Sequence, residues 1–253
     1  MCERSVPQYG PERKQILESF SINIREATYY TQFLSVKGVI IKATGKVDTA
    51  AFDVAADTIR PMLSGREDLS DCMADAGGGL AIIPRDEYVT TLPEYAYLKG
   101  RSDFTGRTYE SFQLRGLGGV KGQPVSSTSE ESLLRLDVDE YPYGRFPFDS
   151  LITVHEYAHG IQNLCFTQDD HERWNGFYAS AQQANIFPGT HMMTNEEEFF
   201  AVFSTAYFEV TDEIGRGADR STIRETYSDV YEFLEEIYQG AVLSPELRSR
   251  RSR

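Results

Sequence analysis

Cysteine is scarce in this 253-residue chain, which has only Cys2, Cys72 and Cys165. So small and odd a number excludes a disulfide-built scaffold and leaves room for at most one bridge. Positive charge is also short: Lys and Arg number 25 against 39 Asp and Glu, a net charge of −14. Such a surface repels polyanions, which argues against nucleic acid and against anionic membranes as partners. No apolar run approaches the ~18 residues of a membrane span, so membrane insertion is not expected. Met1 to Lys14 lacks the apolar core of a signal peptide. The expectation is a cytoplasmic protein, or a secreted one whose leader is absent from this sequence. No Asn-x-Ser/Thr acceptor and no internal repeat is present.

What is present suits a globular fold. The hydrophobic fraction is 40% and the charged fraction 25%, enough for a sizeable core. Pro11 opens an expected helix from Glu12 to Phe33. Gly38 to Lys42 and Leu80 to Ile83 read as short buried strands. Asp48 is placed to cap a helix carrying Phe52, Ala55, Ala56, Ile59 and Leu63 on one face. Tyr88 to Pro124 is rich in Gly, Tyr and Arg, with weak periodicity. Asp149 or Ser150 is placed to cap a helix over Leu151–Leu164; further helices are expected over Asn195–Phe208 and Ser221–Tyr238. The expected organisation is an N-terminal helical segment over 1–36, a main domain over 37–242 and a basic tail over 243–253.

The chemistry concentrates in Thr153-Val154-His155-Glu156-Tyr157-Ala158-His159-Gly160. On a helix, His155 and His159 sit one turn apart on the same face. Both imidazoles can then reach one tetrahedral ion. Glu156 projects beside that ion, where it can take a proton from a metal-activated water. A catalytic zinc usually takes a third protein ligand and keeps one position open. A third histidine six residues beyond His159 is absent, since that position is Cys165, which reads as a small buried residue at the helix end.

A carboxylate from Thr194-Asn195-Glu196-Glu197-Glu198-Phe199-Phe200-Ala201 is the better third ligand. Each glutamate also has a plain structural use. Thr194 with Glu197, or Asn195 with Glu198, would make a capping box, and Glu196 suits the helix dipole. Spacing puts Glu198 only modestly ahead of Glu197, because it shares a face with Ala201, Val202 and Thr205. Phe199, Phe200 and Phe203 are expected to anchor this helix in the core.

Together, His155-Glu156-Tyr157-Ala158-His159 and the Thr194 to Ala201 stretch resemble the catalytic domain of anthrax toxin lethal factor and related secreted bacterial endopeptidases, in the gluzincin group. Arg115-Gly116-Leu117-Gly118-Gly119 and Glu130-Glu131-Ser132-Leu133-Leu134 are weaker matches, and Tyr178 and Ala179 fall where that family has a helix between the two metal helices. The resemblance covers about Gly38 to Gly240. It implies an α+β, gluzincin-like metallopeptidase domain with a small mixed sheet and a zinc site between two helices. It implies one Zn²⁺ per chain, hydrolysis of peptide or protein substrates, and Glu198 as third ligand. The family usually has a tyrosine seven residues before that glutamate, as an oxyanion donor. Here the position is His191, which can donate in its place. The extended stretch Gly116, Leu117, Gly118 and Gly119, with Tyr178, is the candidate substrate-binding surface. Two rivals stand beside this reading: a zincin fold repurposed as a binding module, and a hydrolase of a non-peptide bond.

Overall fold

A computed structural model describes residues 28–103, 106–111, 114–136, 151–210 and 219–248. The body of the expected N-terminal helix, the caps Asp149 and Ser150, Cys2 and the last five residues lie outside them.

Four short strands form one mixed sheet in the order β1-β2-β3-β4. β1 (Gln32–Val36) and β2 (Val39–Ala43) make an antiparallel hairpin; β3 (Gly79–Ile83) and β4 (Val125–Ser129) continue it in parallel. The helix expected to reach Phe33 therefore ends sooner. Gln32 and Phe33 pair with Ala43 and Lys42, so the last residues of the 1–36 segment belong to the sheet. Every residue of β2 and β3 is buried. Alternate side chains serve opposite faces, as the pleat requires. Val39, Ile41, Leu80 and Ile82 join the main core. Ile40, Ala81 and Ile83 join a second cluster under the 3₁₀ turns Val89–Thr91 and Pro93–Leu98. Lys42 is on that second face, where Glu94 Oε1 neutralises it at 2.5 Å and Tyr30 donates to Glu94 Oε2 at 2.5 Å.

Helices α1 (Ala50–Met62) and α2 (Leu69–Asp75) link β2 to β3. α3 (Glu130–Leu134) follows β4 directly. Then come α4 (Leu151–Cys165), α5 (Gln168–Gln183), α6 (Glu196–Tyr207), α7 (Arg220–Thr226), α8 (Ser228–Tyr238) and α9 (Pro245–Arg248). The single helix expected over Ser221–Tyr238 is broken at Tyr227, whose φ of −133° and ψ of 57° are not helical. His171 is half-buried on α5 with its ring 5.4 Å from Phe166. Leu243, at the start of the expected tail, is buried.

α4 packs on β4, α1, α2 and α6. Cys165 is buried at its end and is also bridged to Cys72 of α2, the one disulfide the composition left open. α6 is anchored as its sequence foretells: Phe199, Phe200 and Phe203 are buried around Trp174 and Phe233. Each such ring stabilises the fold by about 1.5–3 kcal/mol.

Candidate metal centre

β4 is short and polar, and its hydroxyls bring the parts of the site together. Thr128 Oγ1 lies 2.9 Å from Thr153 Oγ1 on α4, and Ser126 Oγ donates to the Glu156 carbonyl at 3.1 Å. Ser126 Oγ also accepts from Gly119 N–H at 2.9 Å, and Ser127 Oγ from Leu117 N–H at 3.0 Å. Ser127 N–H donates to the Leu117 carbonyl at 2.8 Å. The segment around Leu117 thus lies along the outer edge of β4, with its other face on α4.

On α4 the imidazoles of His155 and His159 converge, with their Nε2 atoms 3.2 Å apart. Glu198 enters from the first turn of α6, whose start is fixed by Asn195 Oδ1 accepting from Glu198 N–H at 2.7 Å. Asn195, not Thr194, is the cap. Glu198 Oε2 lies 3.0 Å from His155 Nε2 and 3.6 Å from His159 Nε2. Two donors on a tetrahedral zinc, each bonded at ~2.0–2.1 Å, stand about 3.3 Å apart. The three separations match that edge length, and two imidazoles with a carboxylate are a normal zinc donor set. Glu198 Oε2 is buried without a well-formed hydrogen bond among the described residues. A cation would satisfy it, so the residues present fit a metal ion.

Glu156 is one residue from the first histidine. Burial raises its pKa, and the neighbouring histidines only partly offset that rise. For Glu198 the balance is reversed: burial disfavours its charge, but contacts with His155, His159 and His191 hold it well below the usual carboxylate range. Burial also works against a charged His159, and Glu198 and Glu156 outweigh it, so its pKa is raised.

His191 sits in a 3₁₀ turn (His191–Met193) just before α6. Its Nε2 is 2.9 Å from Glu198 Oε2, and its ring stacks at 5.9 Å on His155. Its side chain is 46% exposed, against 15% for His155 and 10% for His159. It therefore lines the open side of the cluster and is not one of the group whose ligand atoms all lie within 4.8 Å of one another.

The candidate substrate surface separates into two kinds of residue. Gly116 and Gly118 lie against α4: a Cβ on Gly116 would come within 2.7 Å of Glu156 Cγ, and one on Gly118 within 2.3 Å of His159 Cβ. Neither glycine has a backbone hydrogen bond among the described residues. Leu117 and Gly119 spend theirs internally, Gly119 also accepting from Asn163 Nδ2 at 3.1 Å. Tyr178 donates its hydroxyl to the Met193 carbonyl at 3.0 Å and stacks edgewise on Phe199. Sequence reasoning passed over the Arg115–Glu131 ion pair, buried on both sides, with contacts of 2.6 and 2.8 Å. Arg115 also donates to the carbonyls of Pro84 and Glu87, which fixes the start of the 115–119 segment. The sequence offered only an arginine directly before the glycines and the paired carboxylates Glu130-Glu131, with nothing to join them.

No family model and no curated protein matches the sequence. The fold does have a likeness among known structures. It is similar to the PRO-PRO endopeptidase PPEP-2 from Paenibacillus alvei, with a TM-score of 0.57 and 16% identity over 79% of this chain and 97% of that one. The chain thus shares an α+β fold with that protein. Among the described residues, no helix is long and apolar enough to cross a membrane.

Proposed function

We propose that this chain is a zinc-dependent endopeptidase of the gluzincin kind, with one Zn²⁺ held by His155, His159 and Glu198. The observation that carries the reading is the near-tetrahedral spacing of those three side chains, with Glu156 beside them. The bound ion would polarise the scissile carbonyl and lower the pKa of the attacking water. Glu156 takes the proton from that water and returns it to the leaving amine. Burial raises its pKa, the direction that makes a carboxylate a better proton acceptor. His191 donates to the developing oxyanion from the open side of the site. An extended peptide pairs with the free backbone of Gly118, by strand addition against the segment that borders β4. The Cys72–Cys165 bridge favours an oxidising compartment, because cytosolic thiols are kept reduced.

The test is metal analysis of the purified protein, followed by hydrolysis of a peptide library that includes Pro-Pro sequences. One zinc per chain and cleavage are expected. Glu156→Gln should keep the metal and lower turnover by about a hundredfold to ten-thousandfold. Absence of zinc after reconstitution would end the reading. Zinc without cleavage of any peptide would favour a repurposed binding module, which the histidine at position 191 supports. Cleavage of a small amide or glycan panel alone would favour a hydrolase of a non-peptide bond.

A further inference from the structure

Two side chains of α5 end on backbone carbonyls beside the site. Trp174 Nε1 donates to the Glu196 carbonyl at 2.9 Å, in the first turn of α6. One helical turn along the same face, Tyr178 donates to the Met193 carbonyl at 3.0 Å, at the end of the turn that bears His191. The two struts thus address different groups, one the helix that carries Glu198 and the other the turn that carries His191.

That turn needs an outside anchor. The connection before it passes through three residues with positive φ, Asn185 at 51°, Phe187 at 56° and Gly189 at 76°. Its internal bonds are few: Thr190 N–H and the Thr190 hydroxyl to the Phe187 carbonyl, Met193 N–H to the Thr190 carbonyl and Thr194 N–H to the His191 carbonyl. Met192 is fully buried and fixes the turn's depth. Depth alone does not set the orientation of the turn's backbone; the His191 ring end is held by Glu198 Oε2 at 2.9 Å and by its stacking on His155. The Tyr178 hydroxyl on the Met193 carbonyl holds the backbone end, and the Tyr178 ring is itself held 5.5 Å from Phe199 of α6.

We infer that Tyr178 is a positioning residue, whose hydroxyl sets the orientation of His191 over the metal cluster through the Met193 carbonyl. This rests on the proposed function insofar as His191 serves catalysis. It is a different role from direct contact with substrate.

Tyr178→Phe keeps the ring on Phe199 and deletes only the strut. The chain has four histidines, so ring signals in a histidine-labelled NMR spectrum can be assigned by single substitutions, and the His191 signal by its loss in His191→Phe. In Tyr178→Phe the His191 signal should shift or broaden, while that of His171 stays and zinc content is unchanged. The kcat should fall roughly threefold to thirtyfold with KM within twofold, as misplacement of a catalytic group predicts. In the His191→Phe background the same substitution should cost nothing further. An unmoved His191 signal would overturn the inference, as would an equal loss of kcat in the His191→Phe background or a rise in KM alone. Should the wild type cleave no peptide, the proposed activity falls, and the His191 signal still decides the positioning role.

Discussion

Gly118 lies so close to His159 that a side chain at position 118 would start 2.3 Å from the His159 Cβ. Both atoms are rooted in backbone, so neither can swing aside. Gly118→Ala should push the 115–119 segment off α4 or tilt the His159 ring. A loss of about 1–3 kcal/mol is expected from overpacking, together with reduced zinc occupancy. Thermal unfolding and elemental analysis would check both, and normal values for the two would refute the close packing.

The choice between the two neighbouring glutamates is decided by metal retention. Glu198 alone of the pair approaches both histidine nitrogens. Glu198→Ala should strip most of the zinc during dialysis, while Glu197→Ala keeps about one ion per chain. Equal losses would remove Glu198 from the ligand set.

The Cys72–Cys165 bridge joins the end of α4 to α2 across 93 residues of sequence. Replacing both cysteines with serine should lower unfolding stability by about 2–4 kcal/mol. Denaturant titration with and without reductant would measure it. Reductant should bring the wild type to the level of the double variant and leave that variant unchanged.

Asp170 gives a stability that depends on pH. Burial opposes its charge, but the Thr167 N–H at 2.9 Å and Arg66 Nη1 at 3.0 Å outweigh burial, so its pKa is lowered. A depressed carboxylate contributes stability above its unfolded pKa of about 4 and loses it as pH falls through the folded value. Asp170→Asn should therefore cost about 1–2 kcal/mol near pH 7, in line with hydrogen bonds to charged groups. The gap should close as pH drops below about 4. A gap that stays constant down to pH 2 would show that charge is not its source.

Much of the site was legible because its residue types repeat at helical spacing. His155, Glu156 and His159 on one helix, and the Glu198 helix with its three phenylalanines, need no tertiary information to be noticed. β4 was not legible. Val125-Ser126-Ser127-Thr128-Ser129 has no alternating apolar pattern, because its hydroxyls bond to α4 and to the 117–119 backbone instead of filling a core. The end of the first helix was misjudged at Phe33, whose apolar side chain serves a strand face equally well. The break at Tyr227 escaped notice because Ile223, Val230, Leu234 and Ile237 are buried on both sides of it. The purpose of Tyr178 depends on a carbonyl fifteen residues away, which spacing along one helix cannot reveal.

The Leu117–Ser127 pairing also bears on how molecules of this protein meet one another. An open sheet margin invites a second chain to dock along its whole length and so seeds aggregation. On the β4 side that margin is occupied by the chain's own 117–119 segment, pinned by serine hydroxyls and by Asn163. What is left for an incoming strand is a notch of glycine backbone, shorter than any strand of the sheet and flush against the histidines. Copies of the protein have little there to grip, and a strand that does dock is delivered to the side of His159 and Glu156.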